Sequence, residues 1–268
     1  MMQWWKKLSD KDRLGLKIIG GTIASLVIVG VGAAWISSGK PVLDKHTLCP
    51  ANGEKMRVAV LVDKSDKWGR GDVARVKDIL QSIYRDVPTQ GRLTIYSITG
   101  VSSITDKRPK STDVNLVFDA CNPGSRAECN KIYEGCTQVE RDYKRAFEAP
   151  LEQLGASLML PGESSYSPLL ETVGTMVKDN KGEELKLHII SDFMENHTIF
   201  RFYDLVPLDT QMVDAYPLPK KAKMTVKGYF IQRRMHPMPL QNAVQAVWSG
   251  YFQKQDIPVT FSPVFTTD

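Results

Sequence analysis

The chain has 268 residues, 42% of them hydrophobic and 24% charged, with a formal net charge of +5. That length suits one folded domain plus shorter segments, and the composition excludes a disordered polar chain. Its basic residues form no long stripe interleaved with aromatics, so the electrostatic footprint of a nucleic-acid binder is missing.

Residues 1–17 are a basic N-terminal segment, and Ile18 to Ile36 follows without a single charge. At a rise of about 1.5 Å per residue the run reaches about 28 Å, one hydrocarbon core, which predicts a single transmembrane helix over 18–36. Lys6, Lys7, Lys11, Arg13 and Lys17 precede the run, against Lys40 and Lys45 just after it. This bias predicts a cytoplasmic N-terminus and a single-pass protein of the cell membrane with its folded part extracytoplasmic. Trp4 and Trp5 on one side and Trp35 on the other suit the two membrane interfaces. Gly20, Gly21, Gly30 and Gly32, with Ala24, Ser25 and Ala34, would let two such helices pack closely into an oligomer.

Residues 37–55 contain Gly39, Pro41, Pro50 and Gly53 and read as a linker. Cys49, Cys121, Cys129 and Cys136 form an even set that an oxidising compartment would pair into disulfides. Three connectivities are open, and the closeness of the last three in sequence favours one local bridge. Residues 56–268 alternate strands with helices. Apolar runs predict strands at 56–62, 93–98, 114–118, 185–190, 224–231 and 257–261. Helical periodicity marks 72–85, 130–154 with room for a kink at Pro150, 168–179 and 240–252, while 193–222 reads as irregular. The expected architecture is α/β, a Rossmann-like, mostly parallel central sheet with helices on both faces.

Ligands of such sheets gather beyond the carboxyl ends of the strands. Polar residues stand there in three places: Asp63-Lys64-Ser65-Asp66-Lys67, Gly162-Glu163-Ser164-Ser165 and Ser191-Asp192. Carboxylates and hydroxyls with room for water suit a hard cation. The set resembles the metal-ion-dependent adhesion site of von Willebrand factor A domains, written D-x-S-x-S, then a threonine, then an aspartate. Asp63 and Ser65 match its first two positions, Ser164 falls where the threonine would be, and Asp192 in HIISDF matches the last aspartate. The resemblance implies a metal site of Asp63, Ser65, Ser164 and Asp192 holding Mg²⁺ or Mn²⁺. Lys67 departs from the motif, since it occupies the second serine position. Its ammonium would repel a divalent ion or replace it by pairing with Asp63 or Asp192.

The resemblance further implies a binding protein that recognises a protein partner within a membrane-associated assembly. Phe200, Phe202, Tyr203 and Tyr216 are candidate anchors for that partner, or else pack on the domain's own core. A metal-independent scaffold subunit is the alternative function, and a metal-dependent hydrolase a weaker one. Catalysis is not expected: there is no glycine-rich phosphate loop, G-x-S-x-G elbow or H-E-x-x-H, and His46, His188, His197 and His236 form no evident triad.

Overall fold

Met56 to Asp63 alternates Val58, Val60 and Val62 with Ala59 and Leu61, apolar on both parities, and such a strand is stable only when covered on both faces. The computed structural model places it at the centre of a six-stranded sheet. The residues described are 10–38, 43, 44, 46–51, 53–65, 68–98, 114–124, 136–160, 167–180, 184–195, 201, 202, 206–219, 223–233 and 236–264. The chain divides into two units, Met1–Val42 and Leu43–Asp268.

The described part of the first unit is helix α1, Asp10–Ser38. Its described large apolar side chains from Ile18 to Val31 are exposed: Leu26 is 66% exposed and Ile28 72%. Thr22 and Ser25 turn their hydroxyls inward and donate to the carbonyls of Ile18 and Gly21, both at 2.9 Å. The helix starts earlier and ends later than the expected span. Among the described residues, however, no helix is long and apolar enough to cross a membrane. Side chains 34–36 of the expected span lie outside those described.

The second unit contains β1 (Met56–Asp63), α2 (Arg70–Asp86), β2 (Gly91–Ile98), β3 (Val114–Cys121), α3 (Cys136–Leu158), α4 (Leu169–Asp179), β4 (Leu185–Ser191), α5 (Asp209–Ala215), β5 (Met224–Ile231), α6 (Met238–Gln253) and β6 (Val259–Val264). Strand order is β3-β2-β1-β4-β5-β6. All neighbours are parallel except β2 and β3. That antiparallel pair is pinned by Arg92, whose guanidinium donates to both oxygens of Asp119 at 2.7 and 2.6 Å. Helices α2 and α3 cover Val58, Val60 and Val62 on one face. Helices α4, α5 and α6 cover Ala59, Leu61, Leu187 and Ile189 on the other.

One expectation is corrected: 193–222 is not wholly irregular, because it contains α5. Helix α3 carries Pro150 in its interior, within one continuous helix. At seven residues, α5 is too short for its periodicity to stand out. Cys121 pairs with Cys49, 72 positions away, which is one of the three connectivities the sequence leaves open. Cys129 and the side chain of Cys136 lie outside the described residues. The Cys49–Cys121 bridge holds the segment before β1 against the last residue of the edge strand, where the Cys121 amide also donates to Thr47 at 2.7 Å. Closing so long a loop is worth about 4 kcal/mol in the unfolded chain. Replacing both cysteines by serine should lower the unfolding free energy by about that amount in a denaturant titration, and reductant should then have no further effect through this bridge. An unchanged midpoint would contradict it.

His188 on β4 stacks on Tyr229 at 5.9 Å, and its Nδ1 is buried without a hydrogen-bond partner. Burial brings its pKa down to about 4, Lys227 and Lys186 push the same way, and Asp86 opposes them. The folded state therefore keeps the imidazole neutral while the unfolded chain takes a proton near pH 6.5. Stability should fall as pH drops from about 6.5 towards 4, by on the order of 3 kcal/mol from this residue. A His188→Gln variant should flatten that part of the curve of melting temperature against pH; an identical slope would exclude His188 as its source.

Candidate functional site

The strand order reverses between β1 and β4, so their carboxyl ends flank the crevice where open α/β sheets hold ligands. Asp63 ends β1 there and is 4% exposed. Its Oδ1 accepts the Ser65 amide at 2.9 Å, and its Oδ2 accepts the hydroxyls of Ser167 and Ser191, each at 2.9 Å. Three donors satisfy a carboxylate that burial alone would disfavour. Ser191 in turn accepts the Phe193 amide at 2.8 Å.

Phe193 has φ of +59°, a left-handed conformation that a bulky residue adopts only under constraint. The constraints are visible. Its carbonyl accepts Trp248 Nε1 at 3.0 Å, and its ring packs against Phe230, Trp248 and Phe261. Gly228 on β5 leaves room for this cluster, since an added Cβ would come within 2.5 Å of Phe261 and 2.9 Å of Phe193. The tight turn that results sets Asp192 just beyond the carboxyl end of β4, 6% exposed, with Oδ1 accepting the Met194 amide at 3.0 Å.

Asp192 Oδ2 accepts Arg233 Nε at 3.0 Å. Arg233 stands just beyond β5, and its Nη1 also approaches Asp72 Oδ2 at 3.9 Å. Its guanidinium lies 5.5 Å from the Trp68 ring centroid. Gln241 on α6 holds the Arg233 backbone from both sides, accepting its N–H at 3.3 Å and donating to its carbonyl at 3.0 Å. A guanidinium clamped between carboxylates repels a second cation, and Asp63 has given both its oxygens to protein donors. The described residues therefore do not fit a divalent ion, and no cluster of three or more metal-ligating His, Cys, Asp or Glu occurs among them.

Of the four sequence-predicted ligands, Asp63, Ser65 and Asp192 gather at the crevice, and Ser164 lies outside the described residues together with Lys67. Ser167, three positions after Ser164, is the serine that reaches Asp63. Phe202 and Tyr216 pack into or against the domain's own core, while Phe200 and Tyr203 lie outside the described residues.

Glu195 was not anticipated from the sequence. It is 1% exposed, its Oε2 accepts the Leu170 amide at the start of α4 at 3.1 Å, and its Oε1 receives no hydrogen bond among the described residues. Burial raises its carboxyl well above the usual carboxylate range; the Leu170 N–H opposes this, and the nearby Asp63 charge adds to it. A folded-state pKa raised above the unfolded value means that stability is lost as pH rises through the unfolded pKa, near 4.3. Glu195→Gln keeps an acceptor for Leu170 and removes the charge. It should raise the melting temperature at pH 7 and change it little near pH 4, as read by thermal denaturation; a drop at both pH values would contradict this.

No protein-family model matches the chain, and no curated protein matches it. Solved structures that resemble it include the pilus adhesin SpaC from Lactobacillus rhamnosus GG, at TM-score 0.45 and 11% identity, covering 81% of this chain and 29% of the adhesin. Another is a von Willebrand factor type A protein from Catenulispora acidiphila, at TM-score 0.42 and 9% identity, covering 79% of this chain and 39% of that one. A third is the conserved hypothetical protein BatB from Bacteroides thetaiotaomicron, at TM-score 0.40 and 10% identity, with 79% and 91% covered. The chain thus spans less than half the length of the first two. Its own strand order defines the class: a doubly wound α/β domain with one antiparallel edge strand.

Proposed function

We propose that the chain is a membrane-anchored, non-catalytic binding module, in which α1 sits in the bilayer and the α/β unit engages a protein partner at the crevice. The observation that carries this reading is the exposure of α1. Ile18, Ile19, Ile23, Leu26, Val27, Ile28, Val29 and Val31 are each between 57% and 72% exposed. Each fully exposed aliphatic side chain forgoes about 1.5–3 kcal/mol of burial, so a helix apolar all round calls for an apolar surrounding. The inward-turned hydroxyls of Thr22 and Ser25 suit the same surrounding, where side chains find no water.

Lysines and an arginine before the run support a cytoplasmic N-terminus. The Cys49–Cys121 bridge supports an oxidising compartment, hence an extracytoplasmic domain. A second reading, a scaffold subunit of a membrane complex, is favoured by a crevice whose carboxylates are already engaged by the chain's own groups.

The full-length chain should stay in the membrane pellet through an alkaline carbonate wash, and a chain lacking residues 1–42 should be released. Release of both would contradict the anchor. A membrane-impermeant thiol reagent should label an introduced cysteine at the exposed Thr225 from the outside of intact cells; labelling only after lysis would reverse the topology.

A further inference from the structure

The Asp72–Arg233–Asp192 bridge has the form of a filled ion site. Asp192 is the residue that matches the metal-bearing aspartate of the adhesion-type motif, and its Oδ2 is occupied by Arg233 at 3.0 Å. Asp72, at the start of α2, belongs to no part of that motif, yet its Oδ2 faces the same guanidinium at 3.9 Å. All three side chains are enclosed, with 11% of Arg233, 11% of Asp72 and 7% of Asp192 exposed. Asp72 Oδ2 also accepts the Gly69 N–H at 3.1 Å, capping α2, while its Oδ1 is buried with no hydrogen-bond partner.

We propose that Arg233 is the permanent cation of this crevice, occupying the space between Asp72 and Asp192 that a divalent ion would otherwise fill, so that the crevice keeps its shape without metal. Sequence spacing offers Lys67 for this part, from the β1 loop and outside the described residues; among the described residues the geometry assigns it to Arg233, after β5. Arginine suits it better than lysine, because the planar fork reaches two carboxylates at once and its face lies against Trp68 at 5.5 Å. Gln241, 5% exposed, fixes the backbone that carries it and ties the same turn to the His236 carbonyl at 2.7 Å. A covalently attached cation cannot be chelated or diluted away. Binding at the crevice is then independent of divalent ions, in contrast to the family the chain resembles.

The proposal rests on the crevice and not on the membrane anchor, and the two fail separately. The test uses the full-length chain in detergent, with Mn²⁺ as the probe, followed by calorimetry and by melting temperature with and without a chelator. The wild-type chain should give no saturable heat, and its melting temperature should not respond to Mn²⁺ or chelator. Arg233→Ser removes the guanidinium that Asp72 and Asp192 share; it should melt lower, recover with Mn²⁺, and bind Mn²⁺ at least tenfold more tightly than wild type. Arg233→Ser combined with Asp192→Asn should lose that recovery. Should Arg233→Ser fail to fold, Arg233→Lys, which retains the charge, must fold without metal. Saturable Mn²⁺ binding by the wild type, a folded Arg233→Ser chain indifferent to Mn²⁺, or an Arg233→Lys chain that needs Mn²⁺ would each overturn the proposal.

Discussion

The carboxylate of Asp63 is the constraint on which the crevice depends. It is buried at the end of the central strand, where a carboxylate without hydrogen bonds is costly, and the chain brings Ser65, Ser167 and Ser191 to it. Those three residues come from the loop after β1, the lead into α4 and the end of β4. One charge thereby fixes the ends of three elements. Ser191 passes the constraint on, because the hydroxyl that donates to Asp63 also accepts the Phe193 amide and holds that residue in its left-handed turn. Asp192 is aimed by this turn towards Arg233, and Glu195 towards the start of α4.

The domain is organised along the strand axis. Its N-terminal segment is stapled at one end of the sheet: Cys121 lies in register with Arg92, and Arg92 with Arg57 near the start of β1. The charged network lies at the other end, beyond β1, β4 and β5. The bridge therefore stiffens the end where the chain enters the domain and leaves the crevice end to be shaped by side-chain electrostatics. Binding modules commonly separate a rigid scaffold from the surface that varies.

Much of this architecture is legible from residues alone. The run around Val60 is apolar at consecutive positions, which a sheet covered on both faces accommodates, and strands alternate with helices along the chain, so the mostly parallel α/β class follows. Strand ends are read less well: the last strand, expected at 257–261, stands at Val259–Val264 because Pro258 offers only its carbonyl, to the Val226 amide, before the ladder begins. Asp63 and Asp192 are legible because they follow strands directly. Arg233 is not, since nothing local marks it: it follows β5 by two residues, and its role comes from partners at positions 72 and 192. Glu195 is equally hidden, because its burial depends on the non-glycine turn at Phe193. The pairing of Cys49 with Cys121 is not legible in the sequence because it depends on the antiparallel strand β3 ending beside the start of β2 and β1, a tertiary fact.

Crystals of the protein grown in Mn²⁺ and measured at a wavelength where manganese scatters anomalously would test the central claim most directly, because they locate both the ion and the guanidinium. The account predicts no anomalous peak in the crevice and Arg233 seated between Asp72 and Asp192. A manganese peak beside Asp63 and Asp192, with Arg233 turned away from them, would contradict it.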